Sequence, residues 1–209
     1  MEFQQIMSFL GASILLTLMP GPDNIFVLTE SLTKGQRDGI AISLGLASGI
    51  LVHTLATATG VSIVIQNSEI TFTVIKYLGA CYLFYLSFKA FQEQRPNVEL
   101  NFEKENTKTG FGKLMRKGFF MNVLNPKVSL FFIAFLPQFV SKNGFNFTFQ
   151  MIILGFIFMT QTVIIFSLIA ILSGKLSNYL NSAKFWKITK WSKVSVLSVL
   201  GLTLALMEK

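Results

Sequence analysis

The sequence predicts an all-α fold, a polytopic membrane helical bundle of about six transmembrane helices arranged as two inverted three-helix repeats. Three observations predict it. Of 209 residues, 52% are hydrophobic and only 13% are charged, whereas a soluble domain carries about 25% charge. The charges are bunched between long uncharged stretches, several of them near or beyond the roughly 20 apolar residues that a helix needs to cross hydrocarbon. Lysine and arginine gather at the ends of alternate apolar segments, as their retention on the cytoplasmic side requires. Eighteen Lys/Arg and ten Asp/Glu are too few to coat a water-soluble fold of this size.

The first apolar segment runs from about Phe3 to Leu28 and is uncharged until Asp23. Met1-Glu2-Phe3 lacks a basic n-region, and the apolar run outlasts a signal-peptide core, so it reads as a retained first helix. The second segment, Gly39 to Gln66, lies in an uncharged stretch that continues to Ser68. The third, Thr71 to Phe88, contains Lys76, which sits about one and a half turns from the helix end and can snorkel outward on its long stem. The fourth, Gly118 to Val140, contains Lys127 and two prolines, and the fifth spans about Phe147 to Leu172. The sixth, Trp191 to Met207, is short unless it begins nearer Phe185.

Between the third and fourth segments, Gln92 to Lys117 is the one long polar stretch. It divides a single transporter domain, residues 1–209, into repeat one (about 1–91), a cytoplasmic connecting loop (about 92–117) and repeat two (about 118–209). Three spans per half place the second half upside down relative to the first. With the N-terminus outside, fourteen basic residues fall in cytoplasmic segments, against two, Lys142 and Lys209, in external ones. That bias predicts N-out and C-out termini. Trp186 and Trp191, beside the last basic cluster, suit the headgroup level.

Two interruptions carry the chemistry. Pro20, Gly21 and Pro22 follow one another in the first segment, ahead of Asp23 and Asn24, and Asn125-Pro126-Lys127 stands in the fourth. A proline lacks the amide donor and crowds the carbonyl four residues earlier, so Pro22 frees the carbonyl of Leu18 and Pro126 that of Asn122. Such groups are tolerated at membrane depth only when they are buried in protein, re-satisfied, or line a wet cavity. The unwound first helix leaves Asp23 in the opening turn of a new half-helix, where a carboxylate complements the dipole. Burying Asp23 or Lys127 alone costs at least about 2.5 kcal/mol, so each needs a partner, a substrate or water. Pairing the two is the simplest arrangement, and an amino acid's ammonium and carboxylate could replace those partners. One isolated proline usually only kinks a membrane helix; two matching breaks, each followed by a charge, favour a site.

Ala41, Gly45, Gly49 and His53 recur every four residues on the second segment, and close helix packing is the default reading of the small ones. His53, the only histidine, suits either proton exchange or the satisfaction of a neighbour's hydrogen bond. Gln161 and Thr162, mid-span in the fifth segment, could bond a substrate or join helices.

Other functional classes fare poorly. A net charge of +8 would indicate nucleic acid only if it formed a basic face on a soluble domain, so no nucleic-acid partner is expected. The single cysteine, Cys81, builds neither a disulfide framework nor a paired-thiol site. One Cys, one His and few intramembrane acids offer little to a metal exporter, and no catalytic constellation or cofactor motif stands out. A transporter or channel for another small solute or ion remains the alternative.

Pro20 to Asn24, Gly35, Gly45, Gly49, His53, Lys76 with Gly79-Ala80-Cys81-Tyr82-Leu83, Asn125-Pro126-Lys127 and Pro137-Gln138-Phe139 together resemble the lysine exporter (LysE) superfamily. Its homoserine/threonine resistance (RhtB) type is the nearest branch. The resemblance implies export of amino acids or close derivatives across the bacterial cytoplasmic (inner) membrane, driven by proton antiport, by a protein that forms a homodimer. It implies Gly21, Pro22, Asn125 and Pro126 as the helix breaks, with Asp23, Asn24 and Lys127 as substrate or coupling groups. The chain departs from many relatives in carrying Gln161-Thr162 where they place an acidic residue, and Ser87 where they place glycine. The first departure bears on substrate identity and proton coupling.

Overall fold

The structure, a computed structural model, describes residues 3–61, 69–93, 109–141, 144–180 and 182–206. Every regular element among them is helical. The first apolar segment is two helices, α1 (Phe3–Leu18) and α2 (Pro22–Lys34), bent by 58° at the break. Next come α3 (Gln36–Ala56), extended by one wide π-turn over Thr57–Val61, and α4 (Glu69–Gln92). The fourth segment is likewise double. Helix α5 (Phe111–Val123) meets α6 (Pro126–Leu130), which runs on through a π-turn, Phe131–Phe135, and a 3-10 turn, Leu136–Phe139. The bend here is 51°. Helices α7 (Phe147–Ile171), α8 (Ser173–Leu180) and α9 (Ala183–Leu206) complete the chain.

Several boundaries move. The expected loop over 92–117 gives up its last residues to α5, so Lys113, Arg116 and Lys117 decorate a helix; residues 94–108 lie outside the described residues. Helix α8 occupies the stretch between the fifth and sixth segments. The sixth segment begins at Ala183 and has 24 residues, about 36 Å of helix, enough to span. Three helices (α3, α4 and α7) are long and apolar enough to cross a membrane, and each bent pair passes as one further span, giving up to five. Helix α9 has the length, but Lys184, Lys187, Lys190 and Lys193 crowd its first half.

Burial sorts the helices. Of its most apolar stretch, α3 buries 61%, α4 only 28% and α7 33%. Helix α3 is therefore central, and the other two turn most of their apolar surface outward. Ile70, Leu78, Phe88, Phe149, Ile164, Val199, Leu202 and Leu206 are exposed, far more apolar surface than a protein leaves to water. Lipid is the solvent that fits.

Helix α3 packs most extensively on α5, with α7 on another side, while α4 packs on α9. Glycine permits the α3–α5 approach. A Cβ at Gly45 would strike the Met115 carbonyl, one at Gly49 would lie 2.8 Å from Asn122 Cβ, and one at Gly118 would strike the Ile42 carbonyl. The packing reading of Gly45 and Gly49 holds. The α2–α3 turn depends on Gly35, whose φ of 100° disfavours any side chain.

Around the second break the core is phenylalanine. Phe9 of α1 meets Phe139 with ring centroids 5.4 Å apart, and Phe158 of α7 meets Phe131 and Phe132 at 5.4 and 5.2 Å. These rings lock α1 and α7 onto the α6 segment, and so set one break against the other.

Candidate functional site at the two helix breaks

Both prolines start helices rather than kink them. Pro22 and Pro126 occupy the first turn of α2 and α6, where the missing amide costs nothing and the fixed φ suits the helix. Gly21, in extended backbone, precedes α2. Asn125 caps α6, its Oδ1 accepting from the Lys127 amide at 3.0 Å.

Asn125 also joins the breaks. Its Nδ2 donates to Asp23 Oδ2 at 2.7 Å across 102 residues of sequence. Lys127 Nζ reaches the other side of the first break, donating to the Leu16 carbonyl at 3.2 Å and lying 3.8 Å from where a Cβ on Gly21 would stand. Asp23 and Lys127 are within electrostatic reach of each other, but among the described residues they close no direct ion pair. The simple pairing is replaced by a bridge: the carboxylate is held by an amide, and the ammonium rests on the negative, C-terminal end of α1.

A second polar cluster adjoins the first at Thr17. The Thr17 hydroxyl donates to the Ser13 carbonyl at 2.9 Å, so toward Gln161 it can only accept, and Gln161 Nε2 donates to it at 2.9 Å. Gln161 Nε2 also donates to Thr162 Oγ1 at 2.9 Å. From the other side Asn24 Nδ2 donates to the Thr17 carbonyl at 2.9 Å. Both amides are thereby oriented, and the acceptors left over, Asn24 Oδ1 and Gln161 Oε1, are buried without a protein partner. Orphaned buried acceptors are uncommon and mark places where water or ligand belongs.

His53 is buried, its Nε2 3.1 Å from the Asn122 carbonyl. That is the carbonyl freed by Pro126. Since a carbonyl can only accept, Nε2 carries the proton in this bond. The ring also stacks toward Phe132, centroids 5.8 Å apart.

All nine sequence-selected residues therefore stand at or beside the breaks. Gly21, Pro22, Asp23, Asn125, Pro126 and Lys127 form the centre, Asn24 and Gln161 the adjoining cluster, and His53 the support. Thr17 and Asn122 escaped the sequence reading as side chains. Asn122, four residues before Pro126, was signalled only through its carbonyl; Thr17 carries no local signal, because its role is to receive partners from α2 and α7.

These features define a class, a multi-pass helical membrane protein whose polar centre is built from two broken helices. The LysE type translocator family profile matches residues 14–208, and the chain belongs to that family. It is 31% identical to the uncharacterized membrane protein YrhP of Bacillus subtilis (strain 168), over 94% of this chain and 95% of that one. It is 26% identical to the homoserine/homoserine lactone efflux protein of Salmonella typhimurium, over 98% of each chain. It is 25% identical to an uncharacterized membrane protein of Vibrio cholerae, over 87% of each. No solved structure matches the chain. The protein is thus a multi-pass membrane protein of a translocator family.

Proposed function

We propose that this translocator exports amino acids or close derivatives from the bacterial cytoplasm by proton antiport, exposing a site between the two breaks alternately to either face. One observation carries the reading. A carboxylate and an ammonium, Asp23 and Lys127, stand at facing half-helix starts and are held apart by Asn125 rather than closed on each other. A zwitterion is the complement of that arrangement. Its carboxylate would draw Lys127 off the Leu16 carbonyl, and its ammonium would take a place on Asp23. Half-helix termini at membrane depth suit charged substrate groups. The relatives named for efflux of homoserine and its lactone support an amino-acid cargo. Asn24 Oδ1 and Gln161 Oε1 add uncharged acceptors for the rest of the molecule.

Asp23 is also the group we assign to the proton. A carboxylate that holds either a proton or the substrate ammonium, but not both, makes the two fluxes alternate. His53, engaged with Asn122, supports the second break. The surrounding frame is six spans in two inverted repeats with both termini outside. Two pairings support it: α3 packs on α7 and α4 on α9, joining second span to second and third to third, as a two-fold relation between halves would.

The test is efflux from cells loaded with dipeptides, across a panel of amino acids that includes homoserine, with and without a proton uncoupler. Expressing cells should release one class faster than vector controls, and the uncoupler should abolish the difference. Asp23→Asn and Lys127→Ala should each reduce efflux to the vector level with the protein still in the membrane. Efflux indistinguishable from vector for every amino acid would refute the reading.

A further inference from the structure

Lys193 breaks the pattern of its helix. The inward face of α9 carries Thr189, Lys193, Leu197, Leu200, Gly201 and Leu204, whereas Lys184 and Lys187 are exposed. A lysine in a buried packing stripe is costly unless its charge is matched. The match is Glu93 at the end of α4, with Oε2 2.7 Å from Lys193 Nζ, and the Trp186 ring lies 5.6 Å from the ammonium. The partners differ in exposure, 10% for the Lys193 side chain and 41% for that of Glu93. The cation belongs to the interior and the anion to the more exposed edge.

Two further observations separate this pair from a simple clamp. Helices α4 and α9 are already tied by Ser87, which donates to the Val194 carbonyl at 3.0 Å and meets Ser198 Oγ at 2.9 Å, and by Gly201 packed under Phe84. Lys193 also lies within electrostatic reach of Lys127. Lys193 is buried and Lys127 half-buried, and like charges that feel each other carry a cost that joining helices does not require. Together they offer two cationic points, one paired with the half-exposed Glu93 and one at the helix breaks.

We propose that Lys193 and Glu93 form a carboxylate-exchange site at the cytoplasmic mouth, where the substrate's carboxylate displaces Glu93 from Lys193 before it reaches Lys127. The site rests on the amino-acid export reading above. Replacing one carboxylate by another keeps Lys193 neutralised throughout, so entry never bares a buried charge. Glu93, already partly exposed, returns to water.

Inside-out membrane vesicles present the cytoplasmic face to the medium, so initial rates of radiolabelled homoserine uptake report on entry. Lys193→Met should raise KM about ten- to a hundredfold, the weight of one charge-assisted hydrogen bond, with Vmax little changed. Glu93→Gln, which removes the competing carboxylate, should lower KM. The double exchange Glu93→Lys/Lys193→Glu keeps an ion pair but withdraws the interior cation, and should stay as impaired as Lys193→Met. Recovery of wild-type KM in the double exchange would overturn the proposal, showing that the pair only ties helices. So would an unchanged KM in Lys193→Met, or a KM in Glu93→Gln that does not fall, in protein confirmed by immunoblot. Wild-type vesicles that take up no amino acid would instead overturn the export reading, and this site with it.

Discussion

At the scale of single residues, the site is organised by amides rather than by its charges. Asn125 caps α6 and bonds Asp23, so Asn125→Leu removes a cap worth about 1 kcal/mol and a charge-assisted bond worth about 1.5–3 kcal/mol. We expect Asn125→Leu to lose efflux while remaining in the membrane, measured by dipeptide-loaded export and immunoblot. His53 gives a sharper division between support and transport. Its bond to the Asn122 carbonyl can be reproduced by a glutamine amide but not by leucine. His53→Leu should lower the thermal stability of the detergent-purified protein by about 1 kcal/mol, and His53→Gln should retain both stability and efflux. Loss of efflux in a stable His53→Gln protein would give the imidazole a direct part in proton movement. Much of this scale was legible beforehand, since proline chemistry named both breaks and the carbonyls they free. The bridge from Asn125 to Asp23 was not, because nothing local distinguishes it from a direct Asp23–Lys127 pair.

Among elements, the decisive contact is α3 on α5, where backbones approach too closely for side chains at Gly45 and Gly118. Valine at either position must push the helices apart, an overpacking cost of about 1–3 kcal/mol. Gly11 is the control, with nothing within 4 Å of its hypothetical Cβ. Gly45→Val and Gly118→Val should therefore lower the melting temperature clearly, and Gly11→Val should not. Gly35→Ala tests the α2–α3 turn, where the positive φ costs a side chain about 1–2 kcal/mol. The four-residue spacing of small residues on α3 pointed to close packing, but not to its partner. Gly118 was read as the start of a span, and only the folded chain sets it against Ile42. Lys193 was likewise counted among basic residues of a cytoplasmic segment, since helical burial of one lysine among four follows from which face α9 turns to α4.

For the whole molecule, the proposed topology makes the two ends of the bundle chemically distinguishable in intact cells. With Cys81 replaced by serine the chain has no other cysteine. A cysteine then introduced at Gly144 should react with an impermeant maleimide in intact cells, and one at Gly110 only after permeabilisation. The reverse pattern would invert the bundle and the direction assigned to the mouth at Glu93. A single cysteine added at either terminus of the same background should also be labelled in intact cells if α9 crosses fully.

The sequence by itself determined the solvent, the class and the places where the helices break. Those follow from composition, from the length that hydrocarbon demands and from a proline's missing amide, all of which act within a few residues. Tertiary structure alone decided what meets at the breaks: Asn125 between the charges, Lys127 on the end of α1, Gln161 and Asn24 converging on Thr17, and His53 on the carbonyl that Pro126 releases. Each of these joins residues far apart in the chain. Their partners are fixed by which helix faces pack together, and by the glycines and phenylalanines that set how closely.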